Sequence, residues 1–162
     1  FAPWGNRPPA KFRVTSVLGH VYSVDFIPAY NSWTAVKPEE LFGGAIRRVD
    51  ADGKGKVVDH LRKEARGAEA LVLALDTDAE GENICFEVLD AVRDKMGLSQ
   101  DYASEYGKRI FRARFSAVTR ADVHKAMARL GDPDHNEARS VDCRAELDLK
   151  VGVAFTRFQT MY

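Results

Sequence analysis

The sequence predicts an α/β fold in which a mostly parallel sheet is flanked by helices and followed by a C-terminal helical segment. Residues 70–75 form a continuous apolar run of strand length, as expected for a parallel strand that is covered on both faces. A helical pattern follows this run, and a second strand and helix follow in turn. The alternation indicates one α/β unit over residues 1–131, and the segment 132–162 begins another lobe.

The N-terminal residues predict short strands and one helix. Residues 12–18 and 21–26 are rich in Val, Phe and Tyr around the turn-prone pair Gly19-His20, so we expect two short strands or a hairpin. Farther along, apolar residues recur at helical spacing from Val58 until Gly67 ends the segment.

The centre of the chain has the pattern of a strand, an acidic turn and a helix. The apolar run ends at Asp76, and apolar residues recur at helical spacing after Gly81 until Gly97 stops the helix. Open α/β sheets bind ligands at the carboxyl ends of their strands, so this turn is where we look first for a functional site.

Charge is balanced overall but is unevenly distributed. The chain has 24 basic and 24 acidic residues, with an acidic block over residues 76–105 and a basic block over 107–129. Within the basic block, residues 110–116 alternate apolar and basic side chains, which predicts a strand whose basic face carries Arg112 and Arg114. These arginines are candidate phosphate contacts, although solvated helix faces produce similar charge runs.

The last part of the chain predicts one long helix. Apolar residues from Ala138 to Gly152 lie on one stripe, and the helix is expected to run to about Phe158. Asp134 and Asn136 are both candidates for its N-cap.

Composition indicates one sizeable core and an intracellular location. No apolar run approaches the roughly 20 residues that a membrane span needs, and no secretory signal is recognisable. Cys85 and Cys143 are too few for a disulfide framework, so both are expected to be buried free thiols.

The acidic turn contains four carboxylates within seven residues, in the order Asp76, Asp78, Glu80 and Glu82. In an extended chain, residues two apart point the same way, so the first three could converge on one side. Converging carboxylates repel each other unless a cation offsets their charge, and Mg²⁺ suits such oxygen ligands. The alternative is that Glu80 and Glu82 merely occupy a helical first turn, where negative charge is stabilised.

The same segment resembles a known family. Residues 71–90 (LVLALDTDAEGENICFEVLD) resemble the second motif of the Toprim domain in type IA DNA topoisomerases, and the end of this segment resembles eukaryotic topoisomerase III, especially the beta form. Residues 12–42, 110–119 and 133–160 resemble further stretches of that family in the same order. The resemblance implies a Rossmann-like Toprim domain over 1–131 that lacks its first strand, and the start of a helical DNA-groove domain over 132–162.

Enzymes of this family cut one DNA strand with a tyrosine, form a 5′-phosphotyrosyl link, pass another strand through the gap and reseal without ATP. The resemblance implies that Asp76, Asp78 and Glu80 hold Mg²⁺, or Mn²⁺ in its place, near the scissile phosphate. The cation would chiefly support rejoining, by orienting the 3′-hydroxyl and offsetting phosphate charge.

The helix from Asn136 onward resembles the one that lines the single-strand groove of the family, and Arg144 matches an arginine of that helix. The implied role of Arg144 is a phosphate or base contact. Its alternative role is a helix-surface pair with Asp148, four residues later, worth about 0.2–0.5 kcal/mol. Single-stranded DNA is the implied partner; RNA and an accessory protein stay open, as does a nuclear or cytoplasmic location.

Two family features are missing from the chain, and Ala79 stands where many members carry Lys or Arg. The first Toprim motif, a strand that ends in a catalytic glutamate, should precede Phe1, and the nucleophilic tyrosine should lie well downstream. We therefore expect a piece that is truncated at both ends and inactive alone. His20 is interpreted as a structural residue.

Two other classes remain as alternatives. The chain could be a non-catalytic single-stranded nucleic-acid-binding module that kept the fold, or another Toprim enzyme such as a primase or nuclease. The stretches 111–119 and 145–160 argue against the latter, because they resemble only topoisomerases.

The first prediction is that this 162-residue chain forms no covalent adduct with single-stranded DNA, even with ample Mg²⁺. Strand cleavage needs a tyrosyl oxygen in line with the phosphate, and a bound cation does not replace a missing nucleophile. The measurement is denaturing electrophoresis of a labelled strand after incubation with the chain and metal. A covalent band that disappears when one tyrosine becomes Phe would contradict the prediction.

Overall fold

A computed structural model describes residues 10–161 of the chain. The α/β class is confirmed. The helices and strands in this part of the chain are β1 (Tyr22–Phe26), β2 (Ile46–Asp50), α1 (Lys56–Glu64), β3 (Leu71–Leu73), α2 (Ala79–Met96), β4 (Ile110–Arg112), α3 (Arg120–Ala128) and α4 (His135–Met161). Short 3₁₀ helices lie at Pro28–Tyr30, Pro38–Gly43 and Tyr102–Glu105.

The strands described form two separate two-stranded sheets. β3 and β4 pair in parallel, with Leu71 opposite Ile110, as the buried apolar run predicts. β1 and β2 pair antiparallel, with Tyr22 opposite Asp50. The prediction of a mostly parallel sheet is therefore wrong for residues 10–161, because one of the two sheets described there is antiparallel.

The predicted pairing of residues 12–18 with 21–26 is wrong. Residues 12–18 form no strand, and Val14 and Leu18 are 93% and 99% exposed, so they have no surface to pack against. The partner of β1 is β2, a strand that the sequence pattern does not indicate because charged Arg47 and Arg48 interrupt its apolar residues.

Helix α2 is the centre of the fold. Eleven of its 18 residues are buried, so it touches other elements on most of its circumference. Its apolar residues, including the fully buried Cys85 and Leu89, pack in one core with residues of α1, β3 and β4. Because polar residues of α2 are buried as well, each of them needs a hydrogen-bonding partner on a neighbouring element.

Helix α4 lies against α2 and against the N-terminal segment. Asn83 of α2 donates to the carbonyl oxygen of Ala138 over 3.0 Å, and Arg157 donates to the carbonyl oxygen of Tyr30 over 2.6 Å. A second apolar cluster of Phe26, Leu41 and Ala154 lies between α4 and the N-terminal segment. The proposed domain boundary at residue 131 remains a prediction.

The helix ends agree with their sequence signals. Asp134 accepts hydrogen bonds from the backbone of Asn136 and Glu137, so it is the cap of α4 among the two candidates. Gly97 ends α2 in the left-handed region at φ 61°. No helix within residues 10–161 has the length and apolar character to span a bilayer.

The two cysteines differ in environment. Cys85 is buried in α2, and burial raises the pKa of its thiol to about 12. Cys143 is exposed on α4, so the expectation that both thiols are buried is wrong for it. The apolar stripe of α4 covers only one side of the helix, and Cys143 lies outside that stripe.

The second prediction concerns two glycines in helices. A Cβ at Gly81, in the first turn of α2, would overlap the carbonyl oxygen of Asp76, whereas a Cβ at Gly152 meets nothing within 4 Å. We expect Gly81→Ala to cost about 1–3 kcal/mol because backbone must move, and Gly152→Ala to stabilise by about 0.5–1 kcal/mol. Urea unfolding followed by circular dichroism measures both. Equal responses of the two variants would show that the contact between α2 and Asp76 does not constrain the fold.

Candidate functional site

The acidic turn lies between β3 and α2, at the carboxyl end of a parallel strand. Asp78 is the N-cap of α2, and its Oδ1 accepts a hydrogen bond from the backbone N–H of Gly81 over 2.7 Å. Asp76 and Asp78 are both exposed. The loop therefore presents two carboxylates to solvent where α/β sheets place ligands.

Glu80 points away from this pair. Its Oε1 contacts a guanidinium nitrogen of Arg144 on α4, and its Oε2 lies 3.2 Å from Nε2 of His20. Within residues 10–161, no three His, Cys, Asp or Glu side chains are close enough together to hold a metal ion. The expected convergence of Asp76, Asp78 and Glu80 is thus not seen, because helix α2 begins at Ala79 and turns Glu80 towards α4.

The donor chemistry nevertheless fits a hard divalent cation. Mg²⁺ in proteins keeps several waters and is bound through one or two carboxylates together with substrate phosphates. Asp76 and Asp78 provide two exposed carboxylates on one short loop. Glu80 is engaged by Arg144 and His20 and forms no three-residue metal group with them within residues 10–161.

His20 and Glu87 complete the surroundings of Glu80. Nδ1 of His20 lies 3.1 Å from Oε1 of Glu87, which is only 4% exposed. The other oxygen of Glu87 accepts a hydrogen bond from the backbone N–H of Val21 over 2.7 Å. Sequence reasoning missed this contact, although the seven-residue spacing of Glu80 and Glu87 places both on one face of a helix.

Arg112 is a structural residue. Its side chain is fully buried, and its Nε donates to Oε1 of Glu82 over 2.8 Å. One terminal nitrogen donates to the carbonyl oxygen of Leu75 over 2.9 Å, and the other to that of Asp76 over 2.6 Å. This burial contradicts the expectation that Arg112 contacts nucleic acid, because Arg112 lies in the interior and not on an exposed basic face.

Glu82 is the buried acceptor around which this region is assembled. It is 1% exposed and receives hydrogen bonds from Arg112, from Arg114 over 3.0 Å and from the backbone N–H of Asp134 over 3.0 Å. Arg114 is partly accessible to a ligand from solvent, since its side chain is 37% exposed. Arg144, at 63% side-chain exposure, is the most accessible of the three candidate arginines.

A cavity of about 340 Å³ lies beside these residues, between β1, α2 and α4. Its lining includes His20, Glu80, Asn83, Glu87 and Arg144. Asn83 donates to Oδ1 of Asp142 over 2.8 Å, so its amide is held in place by α4. The partner of Arg144 in this structure is Glu80, rather than Asp148 of the same helix.

A buried strand, an acidic loop and a buried helix follow one another at this site. The Toprim domain family matches residues 7–118, and the chain belongs to this family.

The relatives of the chain carry more specific names. DNA topoisomerase 3-beta-1 of Homo sapiens is 54% identical over 155 residues, which are 95% of this chain and 18% of the human protein. DNA topoisomerase 3-beta of Oryza sativa subsp. japonica is 53% identical over 153 residues, 94% of this chain and 17% of the rice protein. DNA topoisomerase 3-alpha of Arabidopsis thaliana is 39% identical over 156 residues, 96% of this chain and 16% of that protein. The chain spans less than a fifth of the length of these relatives.

The third prediction is that Arg112→Ala lowers the free energy of unfolding by about 3–5 kcal/mol, because it leaves the buried Glu82 without its main partner. Arg47→Ala is the matched control, since Arg47 is exposed on β2 and its loss should change stability by less than about 0.5 kcal/mol. Urea denaturation measures both. A loss below about 1 kcal/mol for Arg112→Ala would return this residue to the group of candidate ligand contacts.

Proposed function

We propose that this chain is the metal-binding Toprim portion of an ATP-independent type IA DNA topoisomerase. In that reaction one DNA strand is cut through a 5′-phosphotyrosine, another strand passes, and the cut strand is rejoined. The observation that carries the proposal is the exposed acidic loop after β3, which is followed in the first turn of α2 by Glu80, a residue in contact with Arg144 of α4. An acidic loop and a basic side chain at one place suit a cation and a polyanion that bind together.

The cation would be Mg²⁺, with Mn²⁺ as a substitute, and Asp76, Asp78 and Glu80 would hold it. A bound cation of this kind neutralises phosphate charge and orients a hydroxyl for attack. The chain supplies a rigid loop for this purpose. Arg112 holds the carbonyl group of Asp76, and Asp78 is fixed by its cap to α2. A loop held in this way needs little reorganisation to bind a ligand.

Nucleic acid would be bound through Arg144 and Arg114. Both guanidinium groups are partly or largely exposed, and both lie beside elements that carry the acidic motif. Contacts of arginine to phosphate position a strand without reading its sequence. Single-stranded DNA is the partner that we propose; RNA and an accessory protein remain open alternatives, as does a nuclear or cytoplasmic location within the cell.

The names of the relatives bear on the competing classes. Relatives over half identical to this chain are called DNA topoisomerases, which argues against a primase or nuclease. A non-catalytic nucleic-acid-binding module would share the arginines but would not need the acidic loop, so metal binding separates the two classes.

The fourth prediction is a separation of two binding activities by two double variants. Asp76→Asn with Asp78→Asn should abolish Mn²⁺ binding measured by electron paramagnetic resonance, while binding of a labelled oligothymidylate measured by fluorescence anisotropy is kept. Arg114→Ala with Arg144→Ala should keep Mn²⁺ binding and weaken oligothymidylate binding. The oligonucleotide binding that remains should depend less steeply on salt, since fewer counterions are released.

Each double variant serves as the control for the other, because each removes two charges from the same region. Unchanged Mn²⁺ binding in the aspartate variant would remove the metal site from the proposal. Unchanged oligonucleotide binding in the arginine variant would return those arginines to the solvated surface.

A further inference from the structure

Helix α3 carries a basic surface that the proposed site does not yet include. The surface consists of three exposed side chains on the helix and at its C-cap, which are Arg120, Lys125 and Arg129. Within residues 10–161, none of these side chains forms an ion pair. The acidic residue of the helix is Asp122, and its carboxylate accepts a hydrogen bond from the hydroxyl of Thr119 over 2.5 Å in the N-terminal cap. Three positive charges therefore face solvent without a paired carboxylate.

The exposed side of α3 has cations at its edges and small residues at its centre. By helical geometry, Arg120 lies at one edge, and Lys125 and Arg129, four residues apart, lie towards the other. Ala121 and Ala128 lie between these edges, and both are exposed. Small side chains let an extended ligand come close to the helix, while cations on either side can reach its phosphate groups. The surface therefore suits an extended polyanion.

Hydrogen bonds join the segments on both sides of α3 to the candidate site. Before the helix, the hydroxyl of Thr77 in the acidic loop donates to the carbonyl oxygen of Phe115 over 3.1 Å. After the helix, the carbonyl oxygen of Asp132 accepts a hydrogen bond from Arg114 over 2.9 Å. Residues 107–121 contain no acidic side chain, so the connection from the loop to α3 does not repel a polyanion.

Helix stability accounts for only part of this charge. Lys125 and Arg129 lie near the C-terminus of α3, where the helix dipole favours positive charge. Arg120 is the first residue of the helix, where the dipole disfavours it. A solvated surface helix is the alternative explanation that the experiment has to separate.

We propose that the basic surface of α3 binds the phosphate backbone of a single strand beyond the acidic loop, and so extends the nucleic-acid site. The inference rests on the proposed function, since it takes a single strand to be bound at that loop. Contacts between cations and phosphates position a strand without reading its bases. They therefore raise the affinity for any sequence and make it depend more steeply on salt.

The test is the salt dependence of binding to a labelled oligothymidylate of about 16 nucleotides, measured by fluorescence anisotropy on the full chain. Each lost phosphate contact makes the slope of log affinity against log salt shallower by about 0.7 for a single strand. The triple variant Arg120→Ala, Lys125→Ala and Arg129→Ala should therefore bind more weakly, with a slope shallower by about 2. Alanine favours the helix, so α3 should stay folded, and circular dichroism checks this.

The matched control removes three exposed cations from another part of the chain, through Lys54→Ala, Lys56→Ala and Lys63→Ala. These residues lie on α1 and in the turn before it, and α1 contacts α2 and the segment before β1. The control variant has the same net charge as the α3 variant, so any effect of total charge is equal in the two. Its salt slope should stay within about 0.5 of the slope of the natural sequence.

Two further variants separate phosphate contact from helix stability. Arg120→Lys with Arg129→Lys keeps the charges and should keep most of the salt slope, because Lys also binds phosphate as a point charge. Ala121→Glu places a carboxylate in the centre of the surface and should weaken oligothymidylate binding by repulsion. The same change should not destabilise α3, since an acidic residue in the first turn is favoured by the helix dipole.

The outcomes distinguish the inference from the function on which it rests. If the natural sequence binds no oligothymidylate, the nucleic-acid part of the proposed function fails and the inference fails with it. If the natural sequence binds and the α3 variant keeps its salt slope, the inference alone is overturned. Equal losses in the α3 variant and the α1 control would likewise overturn it, since binding would then follow total charge.

Discussion

The buried pair of Arg112 and Glu82 is the interaction on which the rest of this structure depends. A guanidinium and a carboxylate without solvent are stable together only if every remaining donor and acceptor is also satisfied. Four groups of partners satisfy this pair: carbonyl oxygens at and after the end of β3, the carbonyl oxygen of Ala113 just after β4, the guanidinium of Arg114, and the backbone N–H of Asp134 before α4. One ion pair thus fixes the relative positions of both parallel strands, α2 and the start of α4.

This arrangement divides the site into a hydrogen-bonded floor and an exposed rim. The floor consists of backbone groups that Arg112 holds and of the cap that Asp78 forms. The rim consists of exposed side chains, and Arg144 is the most accessible of the three candidate arginines. A site of this kind can change which charges face each other without any change in the fold, because exposed pairs exchange partners at little cost.

Sequence patterns predicted the strand, the acidic turn and the helix because a doubly covered strand is apolar throughout and a buried helix keeps a regular apolar period. They failed where polar residues are buried. The alternation of apolar and basic side chains over residues 110–116 does not show whether the basic side chains meet water or the interior. The prediction that Arg112 lies on an exposed face is wrong for this reason. β2 was not predicted for a different reason. Its two exposed arginines interrupt the short run of apolar residues that would have indicated a strand.

The place of the acidic turn between a strand and a helix was predicted, but the geometry of its side chains was not. The expected convergence assumed an extended chain through Glu80, whereas the helix begins one residue earlier and rotates that side chain towards α4. The contact between His20 and Glu87 joins residues 67 positions apart, and such a pairing follows only from tertiary structure. Helical spacing alone could have shown that Glu80 and Glu87 share a face.

The parallel pairing of β3 with β4 also determines the order in which the chain can acquire its shape. Parallel neighbours need a long crossover, and here α2 and the segment after it separate the two strands. During synthesis, the loop with Asp76 leaves the ribosome well before Arg112 does. Until that arginine emerges, Glu82 has no partner in the interior and stays in water. The acidic loop therefore takes its final conformation late, when the chain has been made through β4 and onward to Asp134.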